Sequence, residues 1–226
     1  MKKNSTRDLF EVALLTAGWF ALSTQLYHNV VDGLAHGVPW QSSLLNFFSY
    51  FTILTNLFLA ASLTLPRFLP GMALSRFLEQ PGVRSASLTY IVIVGAVYEL
   101  LLRHLWSPSG LQWLADLLLH DVIPLGYFVY WIRYVPPARL RWRDALVWLI
   151  FPVGYFVYTM LRGSVFGHYP YPFFNVPQLG YDGVLLNAVF FAIGFFGTGA
   201  LVVALDARVK AAQPARVEAG RDEAER

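Results

Sequence analysis

Apolar residues dominate six stretches of the chain: Leu9 to Tyr27, Leu44 to Leu65, Ala86 to His104, Gln112 to Ile132, Asp144 to Leu161 and Val184 to Leu205. Each offers about 20 residues, roughly 30 Å of α-helix, which matches the hydrocarbon thickness of a bilayer. The pattern therefore predicts an all-α fold, a polytopic bundle of six transmembrane helices, because a helix satisfies its own backbone groups where no water can. One transmembrane domain is expected over residues 1–205. The charged tail over 206–226, rich in Ala, Glu and Arg, is expected to be a frayed helical extension or disordered. The first stretch follows basic residues as a secretory signal would, but no convincing small-residue cleavage site comes after it, so it is read as a retained helix. No internal repeat supports a two-fold transporter architecture.

Charge orients the bundle. When the six helices alternate in direction, all of the 17 Lys and Arg except Arg103 and Arg162 fall on the side of the N-terminus. The positive-inside rule then puts both termini in the cytoplasm. Arg- and Ala-rich loops and tail point to a bacterial inner membrane. A hydrophobic content of 56% against 14% charged residues leaves too little polar surface for an ordinary soluble domain of 226 residues. The net charge of +3 is accounted for by topology and anionic inner-leaflet lipid, so the expected partner is the bilayer and not nucleic acid. With no Cys there is no disulfide, thiolate metal site or cysteine nucleophile. Nothing in the pattern sets an oligomeric state.

Candidate chemistry lies where polar groups sit within lipid. The second stretch carries Asn46, Ser49, Thr52, Thr55 and Asn56. On one continuous helix, Asn46, Ser49, Thr52 and Asn56 would share an arc of about 120°. The fourth carries Asp116, His120 and Asp121, and the third Glu99 and Arg103, with Asp116/His120 and Glu99/Arg103 both at i, i+4. Counting from the outer helix ends puts Thr52 and His120 both about 12 Å deep and Glu99 about 9 Å deep. Tyr155, Tyr158 and Asn187 belong to the same outer half. Above them, Tyr169-Pro170-Tyr171-Pro172-Phe173-Phe174 excludes a regular helix and could roof a cavity. The inner halves of the stretches read as almost uniformly apolar, which favours a one-sided site over a transport path.

Phe47-Phe48-Ser49-Tyr50-Phe51-Thr52, the segment Leu119-His120-Asp121-Val122-Ile123-Pro124 and the Tyr-Pro-Tyr-Pro-Phe loop resemble the androgen-inducible membrane hydrolases and their bacterial six-helix relatives. The resemblance spans roughly Phe47 to Asn187. It implies hydrolysis of a lipid or fatty acid ester, with Thr52 and His120 at the positions of the family's threonine and histidine. The Tyr-Pro-Tyr-Pro loop matches the bacterial relatives better than the animal ones, which separates this chain from the animal substrate.

The implied mechanism needs neither metal nor cofactor. His120 would take the Thr52 proton as the hydroxyl attacks the carbonyl. Asp116 would fix the imidazole tautomer, and Asn46, Ser49 or Asn56 would supply donors to the oxyanion. Arg103 or Arg162 would hold a carboxylate or phosphate, and Glu99, Tyr155, Tyr158, Tyr169, Tyr171 and Asn187 would line the substrate.

Blander readings stand beside each of these. Thr52 commonly would bond back to a carbonyl four residues earlier, or join two helices. His120 would be an interhelical hydrogen-bonding group, Glu99 and Arg103 a structural pair, and Asp116 and Asp121 solvated. The alternative function is a non-enzymatic lipid or amphiphile binder or a transporter. Zinc is a weak alternative, because His120 is the only histidine well inside a stretch and catalytic zinc normally takes three firm ligands.

Overall fold

The computed structural model describes residues 5–224, with side chains over 6–208. Lys2 and Lys3, and the side chains of the basic residues after Arg208, lie outside the described residues. All regular structure among the described residues is helical: α1 (Ser5–Ala35), α2 (Trp40–Phe47), α3 (Phe51–Phe68), α4 (Ala73–Leu78), α5 (Pro81–Val97), α6 (Gly110–Leu117), α7 (Ile123–Tyr134), α8 (Trp142–Val147), α9 (Ile150–Phe166) and α10 (Val176–Ala224). A π-helical turn, Tyr98–Leu102, follows α5, and another, Leu118–Val122, joins α6 to α7.

Five runs among the described residues are long and apolar enough to cross a membrane: Thr6–Ala35, Phe51–Phe68, Pro81–Leu105, Trp142–Phe166 and Val176–Arg208. The expected fourth span corresponds to the run from Gly110 to Tyr134, which falls outside that set. Asp116, His120 and Asp121 dilute its apolar character. Large apolar side chains such as Leu125, Ile150, Val165 and Leu201 stand more than half exposed on the outside of the bundle, as a lipid-facing surface requires. Inside, Leu59, Leu88, Ile91, Ile123 and Tyr127 are fully buried where α3, α5 and α7 meet.

Two expectations are corrected. The second stretch is not one helix. The Ser49 carbonyl is taken by Tyr155 OH at 2.8 Å and its hydroxyl turns back to Leu45 O at 2.6 Å. Tyr50 is extended (φ −88, ψ 129), and α3 starts afresh at Phe51. Asn46 and Ser49 therefore do not share a helical face with Thr52 and Asn56, and Thr52 is the second residue of α3. Of the two expectations for the tail, the helical extension matches: α10 runs past Asp206 to Ala224, with a kink at Gly180 near its start. The Asp206 carboxylate accepts from Ala138 N at 2.9 Å and Leu140 N at 3.3 Å, which ties α10 to the connection after α7.

The second correction concerns the supposedly apolar half. Because α5 begins at Pro81, Arg84 lies in its first turn and is buried, with 5% of its surface exposed. It donates to Tyr130 OH at 2.7 Å, which donates to Glu11 at 2.5 Å, and Glu11 also meets Arg7 Nε at 3.1 Å. Trp131 Nε1 donates to Ser85 Oγ beside them at 2.9 Å. By helical rise this network sits about 21 Å along α5 from Tyr98.

Candidate active site

The two π-helical turns face each other. Such turns put an extra residue into a helix and re-aim its side chains, and they recur at functional sites. Gly95 permits the approach: a Cβ there would stand 3.0 Å from His120 O and 3.3 Å from Pro124 Cβ. One turn on, Tyr98 stacks on the His120 ring, and its hydroxyl donates to Asp116 Oδ2. His120 Nδ1 lies 3.0 Å from the Asp116 carbonyl oxygen, which receives its hydrogen bond, and 3.1 Å from carboxylate Oδ1. Asp116 is thus buried and partnered, not solvated. Nδ1 carries the proton in this arrangement, which leaves Nε2 as the acceptor.

Thr52 enters from α3. Its backbone N–H is in the first turn, where the helix has no carbonyl to offer, and it donates to Tyr171 OH at 3.4 Å. Thr52 Oγ1 lies 3.5 Å from the same phenol. Ser49, Thr64, Ser85, Ser87 and Thr89 each bond a carbonyl four residues back, but Thr52 does not. Asn56 Nδ2 donates to Thr52 O at 2.9 Å and to Leu119 O at 3.3 Å, so one amide joins the start of α3 to the turn that carries His120. Burial pushes the Tyr171 phenol up to about 12, which keeps it a donor at neutral pH.

Thr52, Tyr98, Asp116, His120 and Tyr171 line a single chamber of about 1050 Å³ of open space, with Pro170 and Pro172 at its rim. A second, apolar cavity, narrower than the chamber, is lined by Phe51, Ile93, Phe156, Phe191 and Phe195 among others. Thr52, Leu102 and Tyr171 belong to both. Counting only the space a water molecule can occupy, the chamber holds about 380 Å³, within the range of about 300–1,000 Å³ typical of ligand pockets, and the apolar cavity about 110 Å³, below it.

The other expected residues scatter. Asn56 spends its amide hydrogens on backbone carbonyls, so it is a strut and not an oxyanion donor. Ser49 is fully buried, with its hydroxyl on Leu45 O and Tyr158 OH at 3.2 Å. Tyr155 supports the Ser49 carbonyl and lines the apolar cavity. Arg103 meets both Glu99 and Asp121, the latter at 2.7 Å, and lies over the Tyr98 ring at 5.1 Å. The expected Glu99–Arg103 pair is therefore a cluster of three on the exposed side of the π turns. Asn46 and Arg162 line a separate polar pocket. Tyr169 covers Gly163 so closely that a Cβ there would collide with its ring. Asn187 donates to Phe173 O at 2.9 Å and braces the loop.

Sequence reasoning missed Gln25, Asn29, Tyr98 and Trp106, all in the chamber wall. Gln25 and Asn29 were readable as a polar i, i+4 pair, but the first stretch was bounded at Tyr27. A tyrosine in an apolar run carries no comparable signal. Compared with family models, curated proteins and solved structures, the chain matches none.

Proposed function

We propose that the chain is an integral membrane hydrolase that cleaves a lipid or fatty acid ester, with Thr52 as nucleophile and His120 as base. One observation carries this reading: the Thr52 hydroxyl stands in the wall common to an apolar cavity and to the chamber that holds the His120 imidazole. An acyl chain in the first would bring its carbonyl to Thr52 with the alcohol side facing the imidazole.

Thr52 Oγ1 attacks the carbonyl carbon, and its proton passes to His120 Nε2. Because Oγ1 meets Tyr171 and not the imidazole, the transfer runs through one bridging water. The Thr52 N–H and the Tyr171 phenol stabilise the oxyanion, aided by the positive end of α3. Collapse breaks the bond to the alkoxy oxygen, which leaves as the alcohol with the proton from His120. Water, deprotonated by His120, then cleaves the acyl-threonine. The Asp116 carboxylate stabilises the imidazolium formed in both halves.

In the same reading the run from Gly110 to Tyr134 is a sixth span, both termini are cytoplasmic, and the chamber opens toward the outer leaflet of a bacterial inner membrane. The distribution of Lys and Arg supports the orientation. A second reading, a non-enzymatic amphiphile binder, is favoured by the hydrogen bond of Thr52 to Tyr171 in place of His120. Labelling of the purified protein by a fluorophosphonate, with turnover of ester lipids, separates the two. Loss of both in Thr52→Ala and in His120→Ala is expected for the hydrolase. Unchanged labelling and turnover in both variants would overturn the pair.

A further inference from the structure

A third cavity adjoins the chamber and has no part in the chemistry above. Gln25, Asn29, Asn46 and Gln112 line it with four amides, and Ser42 and Ser43 with two hydroxyls. Gln25 and Asn29 are shared with the chamber of Thr52 and His120, so the two spaces meet. Its open space is about 980 Å³.

The wall offers donors and acceptors together, since each of its four amides and both of its hydroxyls carries both. Ser43 is only 4% exposed, and its hydroxyl has no partner among the described residues. A polyol matches such a wall, because each of its hydroxyls both donates and accepts. A phosphate or carboxylate brings acceptors alone. Among the fixed charges the Asp32 carboxylate offsets Arg162 in the same wall, and one guanidinium N–H is taken by His168 O at 3.0 Å. Burial and Arg162 hold the His168 imidazole below its ordinary range, so it adds no cation at neutral pH.

We infer that this pocket seats a neutral, polyhydroxylated headgroup, a glycerol or a sugar, of an amphiphile whose ester reaches Thr52. The ester part of that statement rests on the proposed hydrolase, but the headgroup site does not. The full-length protein in phosphatidylcholine nanodiscs, against empty nanodiscs, is titrated with non-cleavable ligands of one chain length: 1-O-dodecylglycerol, dodecyl glucoside, dodecyl phosphate and dodecanoate. At least one polyol should bind about tenfold tighter than either anion, and the tighter polyol identifies the head. Ser43→Ala and Gln112→Leu should each weaken polyol binding about three- to tenfold, the worth of one hydrogen bond, and leave dodecyl phosphate unchanged. Gln112 is half-buried with no side-chain hydrogen bond among the described residues, so its variant reads the pocket even if Ser43→Ala fails to fold. Anions binding as tightly as the polyols, or polyol binding untouched in every folded variant, would overturn the inference. Polyol binding without Thr52-dependent labelling would remove the hydrolase and keep the pocket. Labelling without polyol preference would do the reverse.

Discussion

Tyr98 lies flat on the imidazole of His120, with ring centroids 3.8 Å apart and planes 13° from parallel, while its hydroxyl reaches Asp116. The same side chain thus limits the tilt of the imidazole and holds the carboxylate beside it. Tyr98→Phe keeps the stack and frees Asp116, so ester turnover should fall by less than about tenfold. Tyr98→Leu removes both restraints and should lose about 10²-fold, the lower end of what a positioned base supplies. Equal rates in the two variants would show that stacking is irrelevant.

Asp116→Asn tests charge apart from orientation. The backbone carbonyl of residue 116 still receives the Nδ1 proton, so His120 stays in place. Loss of the carboxylate beside the imidazolium should lower kcat about tenfold, roughly 1.4 kcal/mol, with KM unchanged. A rate equal to wild type would demote Asp116 to packing.

The apolar cavity should read chain length. Ala188 and Ala192 line it from α10, so Ala192→Trp should shift preference in kcat/KM toward shorter acyl chains. Each methylene no longer accommodated is worth about 0.8 kcal/mol, close to fourfold. A uniform loss across chain lengths would place the acyl chain elsewhere.

The absence of Cys makes topology mapping direct, since any introduced thiol is unique. Ser109→Cys, between the third and fourth apolar stretches, should react with a membrane-impermeant maleimide added to intact cells, and Ala138→Cys only after lysis. The reverse result would invert the proposed orientation.

The buried chain Arg84–Tyr130–Glu11 lies far from the chamber and should govern stability. Arg84→Met removes the charged donor to Tyr130 OH and weakens the compensation of the half-buried Glu11, so it should lower unfolding stability by about 1.5–3 kcal/mol, the worth of a hydrogen bond to a charged group. Adding Glu11→Leu should recover part of that loss, because it removes the half-buried carboxylate that then has Arg7 alone as its cation. Thermal unfolding in detergent measures both, and labelling of Thr52 should survive in the folded double variant.

Helical character and spans of membrane length were legible in the chain, because transfer into lipid depends on local composition and every helix closes its own hydrogen bonds. The polar residues Thr52, Asp116 and His120 were legible as candidates for the same reason, being costly where they stand. The break before Phe51 was not, since it is drawn by Tyr155, 106 residues away, through a bond to the Ser49 carbonyl. Nor was the conversion of Asn56 into a strut between Thr52 O and Leu119 O, or the stacking of Tyr98 on His120. Such contacts join residues from different helices, and periodicity along one helix carries no information about the rotation and depth at which its neighbour packs. Only the tertiary structure decided which polar groups meet a cavity and which are spent on the backbone.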